Sequence, residues 1–291
     1  MARRKHAARR RGKAGQPLRT FALASIISFV ASSAALHTDL RTTIEPILAR
    51  LDLALLPAPT SQPNPVAATA DGYVQTSFKQ CPQFFPSARQ VVPAGEALRE
   101  LCFTSFAILH SGRTKTPVFV AQRLNRRMLV AAQGVERKDR FYEEARLPQR
   151  ERAKLSDYKG SGHDRGHMAP AGDMPNDDAM AQSFSLANIV PQNAQHNRGA
   201  WSKIEADTRK YIMRARGDVY VFTGPVYSRR PETIGQGRVA VPDFLYKIVY
   251  DATTERSWVH WQENSADARV GAPISYKEFV RRTGVQLLAP A

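Results

Sequence analysis

The stretch GSGHDRGHMAP at residues 160–170 gathers two histidines, an aspartate, an arginine and three glycines into eleven positions. Arg165 and His167 are two apart, and on an extended segment such residues project to the same side. A fixed cation and a titratable imidazole then face one ligand, a pairing suited to phosphate binding and proton transfer. Gly166 leaves room for a backbone or a phosphate between them, and Gly160 and Gly162 permit the tight approach that precedes. Thirty residues on, HNRGAWSKIEADTRKYI at 196–212 has helical periodicity. At 100° per residue Ile204, Thr208, Tyr211 and Ile212 share a face with Trp201. Asn197 lies 40° to one side of Trp201 and Glu205 40° to the other. A carboxamide and a carboxylate thus border the buried stripe. Taken singly, Asn197 also reads as an N-cap and Glu205 as a solvated helix charge.

Four segments together resemble the DNA/RNA non-specific endonucleases of the ββα-metal class: ERKDRF at 136–141, YKGSGHDRGHMAPAGDM at 158–174, SLANIVPQ at 185–192 and HNRGAWSKIE at 196–205. The likeness extends more loosely over about 100–285. It implies His167 as general base and Asn197 as protein ligand of a single Mg²⁺, for which Mn²⁺ is a possible substitute. Glu205 would orient water on that metal, and Arg165 and Arg137 would hold phosphate oxygens. Arg140 competes for the last role, because it also precedes Phe141. Asp164 reads as a structural hydrogen-bonding group of the hairpin, and His163 as local packing or a substrate contact. The implied reaction is hydrolysis of DNA and RNA to 5′-phosphate ends, and His163–His167 becomes the first strand of a ββα-metal core.

The elements that must position these residues are strands and a few helices. Alternating or apolar β-rich runs predict strands at 102–111 and 117–124, joined as a hairpin by GRTKT, and at 184–190, 218–223, 244–250 and 257–262. Helices are predicted at 198–215 and 275–283. Strand-rich ends around central helices give an α+β class with a mostly antiparallel sheet and flanking helices. DMPNDDAM at 173–180 has the look of a calcium loop but lacks the required Gly and Glu, which excludes that reading. His6, His37, His110, His196 and His260 carry no motif of their own.

The formal charge is +16, but eight of the 42 Lys and Arg lie in the first 20 residues with no acid among them, so the remainder carries about +8. That balance suits a polyanionic partner without proving one. Residues 1–19 form a basic n-region, and 20–38 an uncharged apolar stretch read as a signal peptide or membrane anchor. This predicts an exported, periplasmic or extracytoplasmic body, with the N-terminal segment as its contact with the inner membrane. Residues 39–72 read as a short helix and a Pro/Ala-rich spacer, and 73–291 as the catalytic body. Cys81 and Cys102, the sole cysteines, are predicted to form a disulfide in an oxidising compartment, the alternative being two buried thiols. No pattern specifies an oligomeric state.

Three readings compete. The first is an exported metal-dependent nuclease. The second is a non-catalytic nucleic-acid-binding protein on the same scaffold, for example in DNA uptake. A third, a membrane-tethered structural protein, leaves His167, Asn197 and Glu205 unexplained.

Overall fold

The computed structural model describes residues 72–87 and 90–288. The expected leader, the helix at 40–56 and the spacer lie outside the described residues. The centre is a six-stranded sheet in the order β12-β11-β8-β5-β4-β3, every neighbouring pair antiparallel. Its strands are β3 (Leu98–Cys102), β4 (Ala107–Ser111), β5 (Thr116–Leu124), β8 (Val219–Val226), β11 (Phe244–Asp251) and β12 (Arg256–Glu263). A period of two sends successive side chains to opposite faces. Leu109, Phe119, Phe222 and Tyr246 therefore join one core, whereas Ile108, Val120 and Leu245 join another. Both faces are covered over the inner strands β4, β5, β8 and β11, which are therefore buried along almost their whole length, whereas the edge strands β3 and β12 keep charged residues.

On one face lie β1 (Tyr73–Gln75), β2 (Val91–Pro93) and helix α6 (Tyr276–Thr283), with Phe78, Phe85, Phe279 and Leu287 packed on the sheet. The Ser275 hydroxyl caps α6 by accepting from the Glu278 N–H, and Gly284 at φ 70° ends it. Cys81 and Cys102 form a disulfide with Cα atoms 5.8 Å apart, pinning the Phe78–Phe85 segment to the end of β3. Closing this loop contributes about 3 kcal/mol by chain entropy.

The other face carries the hairpin of β6 (His163–His167) and β7 (Ile189–Asn193) together with helices α1 (Arg126–Ala132), α2 (Leu155–Tyr158), α3 (Asp177–Ser183), α4 (Ala194–His196) and α5 (Ser202–Ile212). Two-residue strands β9 (Thr233–Ile234) and β10 (Val239–Ala240) pair nearby.

Three expectations need correction. The run at 102–111 is two strands, because Phe103–Phe106 forms a tight turn in which the Phe103 N–H donates to the Phe106 carbonyl. Phe103 stacks on Phe106 with centroids 4.5 Å apart, so the turn is apolar and disguised as strand. At 184–190 the chain makes a 3₁₀ turn, Leu186–Asn188, before β7 begins. There the Ser185 hydroxyl accepts from the Ala187 N–H, a local competitor for the ladder. The helix expected over 198–215 begins earlier, passes through a π turn and ends at Ile212.

Buried ionisable groups make this fold acid-sensitive. His110 is fully enclosed and burial pushes its pKa down to about 4, although Nε2 meets the Glu151 carbonyl at 2.9 Å. The Arg99 guanidinium, hydrogen-bonded to Glu151, holds that carboxylate below its ordinary range. A histidine depressed from 6.5 contributes stability that is whole above pH 6.5 and lost as pH falls toward 4. A depressed carboxylate loses its share on the same side, below its ordinary range. The raised Glu205 carboxyl, at about 7, acts with the opposite sign over this window, but burial also depresses His167 to about 3 and His260 to about 4, so the melting temperature should drop between pH 6.5 and 4. Circular-dichroism melts across this window check the expectation, and a level or rising melting temperature would contradict it.

Candidate active site

The hairpin begins where Gly160 and Gly162, at φ 69° and 79°, turn the chain into β6. Gly166 is required for a reason the sequence did not reveal. A Cβ there would meet Gln192 Oε1 at 2.1 Å and Gln192 Cβ at 2.7 Å, so its space is filled by the partner strand and is not open to a phosphate. Gln192 in turn donates to His196 Nδ1 at 3.2 Å, joining the hairpin to α4. Asn188 fixes the exit of β6: its side chain accepts from the Ala169 N–H at 2.8 Å and donates to the Ala169 and Ser183 carbonyls, both at 2.9 Å. His167 is thereby held against Phe184, edge-on at 5.0 Å, and Phe141 at 5.4 Å. The Arg165 guanidinium lies 4.1 Å above the Phe141 ring.

The helical half starts at Asn193, whose side chain accepts from the Gln195 and His196 N–H groups at 3.0 and 3.2 Å. Asn193 is the N-cap, so Asn197 is free of that duty. Asn197–Trp201 then forms a π turn. A π turn advances roughly 80° per residue in place of about 100° for the α-helix. Over four residues that difference carries Asn197 past Trp201 to the flank where Glu205 lies. Uniform α-helix would have left the two on opposite sides of the buried indole. Asn197 Nδ2 donates to Asp164 Oδ2 at 3.0 Å, while Arg198 grips the same carboxylate through Nε at 2.9 Å and Nη2 at 2.7 Å. Asp164 thus reaches out of the hairpin to the π turn, beyond the local role expected for it. With its amide nitrogen committed, Asn197 keeps the lone pairs of its carbonyl oxygen Oδ1 free.

One cleft of about 510 Å³ is lined by Arg137, Arg165, His167, Asn197 and Glu205 together, with Asp164 and Arg209 beside them. Arg137 sits in the loop before Phe141 and pairs with Asp139 at 2.6 Å. Arg140 and His163 do not line the cleft. His163 Nδ1 instead meets the Ser161 carbonyl at 3.2 Å. His167 Nε2 is enclosed without a hydrogen bond, which leaves Nδ1 as the nitrogen at the cleft wall. Burial first, then the Arg137 and Arg165 charges, push its pKa down to about 3, so the ring is neutral near pH 7. Asp164 feels an upward push from burial, but the bonds from Arg198 and Asn197 outweigh it and keep the carboxylate ionised.

Glu205 is opposite in sign. Burial pushes it up to about 7, assisted by the Asp173 charge and opposed by Lys247 and Arg209. Lys247 was not singled out from the sequence, although a charge within FLYKIVY marks it. Leu245, Lys247 and Val249 share the helix-covered face of β11, so the lysine stands in a buried apolar row. Its Nζ donates to Thr223 Oγ1 at 2.7 Å and lies 5.3 Å from the Trp201 ring centroid. Burial lowers its own pKa against the pull of Glu205 and Asp173. Asp173 also pairs with Arg209 at 3.0 Å, completing an alternating array of charges beneath the cleft.

Among the described residues no three His, Cys, Asp or Glu converge as a metal cage. The cleft offers the Asn197 oxygen, the Glu205 carboxylate and open space for water and phosphate. That donor set fits a hard cation that keeps most of its hydration shell, as Mg²⁺ does.

Two substitutions test this architecture. In cation-free protein, Lys247→Met should move the Glu205 carboxyl titration, read by ¹³C NMR, upward by about one unit; equal midpoints would show that the ammonium does not act on Glu205. Gly166→Ala should destabilise the protein by about 1–3 kcal/mol through overpacking against Gln192, measured by urea unfolding, and a neutral result would refute the contact.

The family model for DNA/RNA non-specific endonucleases matches residues 86–284. Nuclease C1 of Cunninghamella echinulata var. echinulata is 37% identical over 157 residues, which cover 50% of this chain and 62% of that protein. The mitochondrial Endonuclease G of Homo sapiens is 33% identical over 156 residues, covering 50% of this chain and 52% of its own length. The chain therefore spans less than two thirds of these curated relatives. A solved structure of an EndoG/EndoGI complex aligns with a TM-score of 0.61 and 25% identity, over 72% of this chain and 91% of the other. A match running through both the hairpin and the helix of the cleft shows that this chain belongs to the DNA/RNA non-specific endonuclease family.

Proposed function

We propose that this protein is an exported, divalent-cation-dependent endonuclease that hydrolyses phosphodiester bonds of DNA and RNA and leaves 5′-phosphate ends. The observation that carries the reading is the convergence of a neutral imidazole, a carboxamide oxygen, a carboxylate and two arginines on one cleft. Arg165 and Arg137 hold the non-bridging oxygens of the scissile phosphate, Arg165 steadied by Phe141. Nδ1 of His167 accepts the proton of the attacking water, and the depressed pKa keeps it free to do so. Asn197 Oδ1 would hold Mg²⁺, or Mn²⁺ in its place, with Glu205 ordering water beside it. The cation, when bound, supplies charge that offsets the pentacovalent phosphate and the departing 3′ oxygen. Because these groups address the phosphate, the site reads backbone and not base edges, which supports action on both polymers.

The basic n-region and apolar stretch support export and an inner-membrane attachment, and a disulfide suits an oxidising compartment. The alternative of a pure binding module is disfavoured by the depressed imidazole, which binding does not require.

Digestion of plasmid and RNA by the purified protein tests the reading. Mg²⁺ should support cutting of both and EDTA abolish it, while His167→Ala lowers the rate by about 10²–10⁴-fold and leaves binding intact. Tight binding without cutting under either metal would instead establish the binding module.

A further inference from the structure

The catalytic cleft does not end at Arg209. Gly172 and Arg209 also line a second cavity of about 430 Å³, between α1 and the outer flank of α5. Arg214 joins that cavity to a third, of about 490 Å³, beside the Thr253–Thr254 turn. The helix accounts for the arrangement. Ser202, Glu205 and Arg209 form the stripe that faces the cleft, while Ala206, Lys210 and Met213 form the neighbouring stripe that faces the groove. Leu129 and Met213 give the groove an apolar floor, and Lys210 and Arg214 stand on its rim.

Resting on the nuclease reading above, we propose that this groove is a second substrate subsite, along which one strand of nucleic acid continues from the scissile phosphate. Charge complementarity and continuity with the cleft both select a polyphosphate. The second cavity is lined by three cations and no carboxylate. Arg209 is engaged by Asp173 at 3.0 Å and Lys210 by Asp207 at 3.1 Å, whereas Arg214 is exposed and makes no ion pair among the described residues. The facing helix α1 carries Arg126 and Arg127 and no acid. In the third cavity Asp251 is the one carboxylate of the lining, and it is committed to Tyr211 and to the Thr253 and Thr254 N–H groups. An apolar floor accepts the faces of sugars or bases without selecting among them, and the rim cations meet phosphates. The eleven residues of α5 rise about 16 Å, which at about 3.4 Å per nucleotide of one strand matches roughly five nucleotides on one side of the cut.

The experiment compares the full-length protein with the Lys210→Ala/Arg214→Ala double variant and with Arg214→Lys. Neither residue belongs to the catalytic set. Binding of a fluorescent single strand of about 20 nucleotides is titrated against KCl in EDTA, and cleavage of the same strand and of a tetranucleotide is followed in Mg²⁺. We expect the double variant to lose two phosphate contacts, so that its log–log salt dependence becomes shallower by about 1.4. Its kcat/KM should fall about tenfold on the long strand and stay unchanged on the tetranucleotide, with Arg214→Lys close to the parent. An unchanged salt slope would overturn the subsite, as would an equal loss on both substrates. A parent protein that binds but does not cut would overturn the nuclease reading alone, because the EDTA titration still decides the subsite.

Discussion

The candidate base and the candidate cation ligand belong to separate pieces of chain, a strand and a helical turn, and the Asp164 carboxylate, carried by the strand, bonds to the turn. It leaves β6 three residues before His167 and is gripped by Asn197 and by the fork of Arg198. Charge-assisted, multiply bonded contacts of this kind are directional as well as strong. Directionality matters here, since proton transfer and phosphate binding tolerate errors of only about 0.5 Å. The bond also orients the Asn197 amide, leaving its oxygen available. The π turn supplies the other half of the constraint, because it rotates Asn197 onto the flank shared with Glu205.

Around this link the charges are arranged against the preferences of an ordinary core. Arginines at the rim suit a phosphate and add to the burial that keeps His167 deprotonated. The same cleft must accommodate Glu205, whose burial favours the neutral acid. Lys247 sits beneath it between Leu245 and Val249 on the helix-covered face of β11, at a desolvation cost that no packing requirement explains. Local violations of this kind concentrate where a site needs them. Asp173 and Arg209 extend the alternation, so the lysine is compensated by more than one anion and the sheet face stays close to neutral.

Much of this was legible in the sequence. Arg165 and His167 could be placed because a strand has a period of two, and the hairpin carrying them formed where its glycines allowed. All five residues expected to act, including Arg137 at a loop position, line one cleft. What stayed hidden was hidden for physical reasons. A π turn leaves no periodic trace when its residues also suit an α-helix. The role of Gly166 depends on Gln192, twenty-six positions away, and a single strand cannot show its partner. Phe103 and Phe106 concealed a turn because both are apolar and buried. Lys247 was visible as a misfit, but its meaning required the helix packed above it.

The two faces of the central sheet divide these tasks. The far face holds the disulfide, the interlocking Phe78, Phe85, Phe119 and Phe222, and α6, a set with no part in the cleft. The near face carries a buried lysine and an imidazole nitrogen without a hydrogen bond. Each of those features costs stability locally. Because alternate residues of the same strands serve the two faces, dense packing behind the sheet fixes the backbone on which the less stable front is built. Leu245 and Lys247 point one way from β11 while Tyr246 and Ile248 point the other, so one strand anchors the core and presents the charge under Glu205.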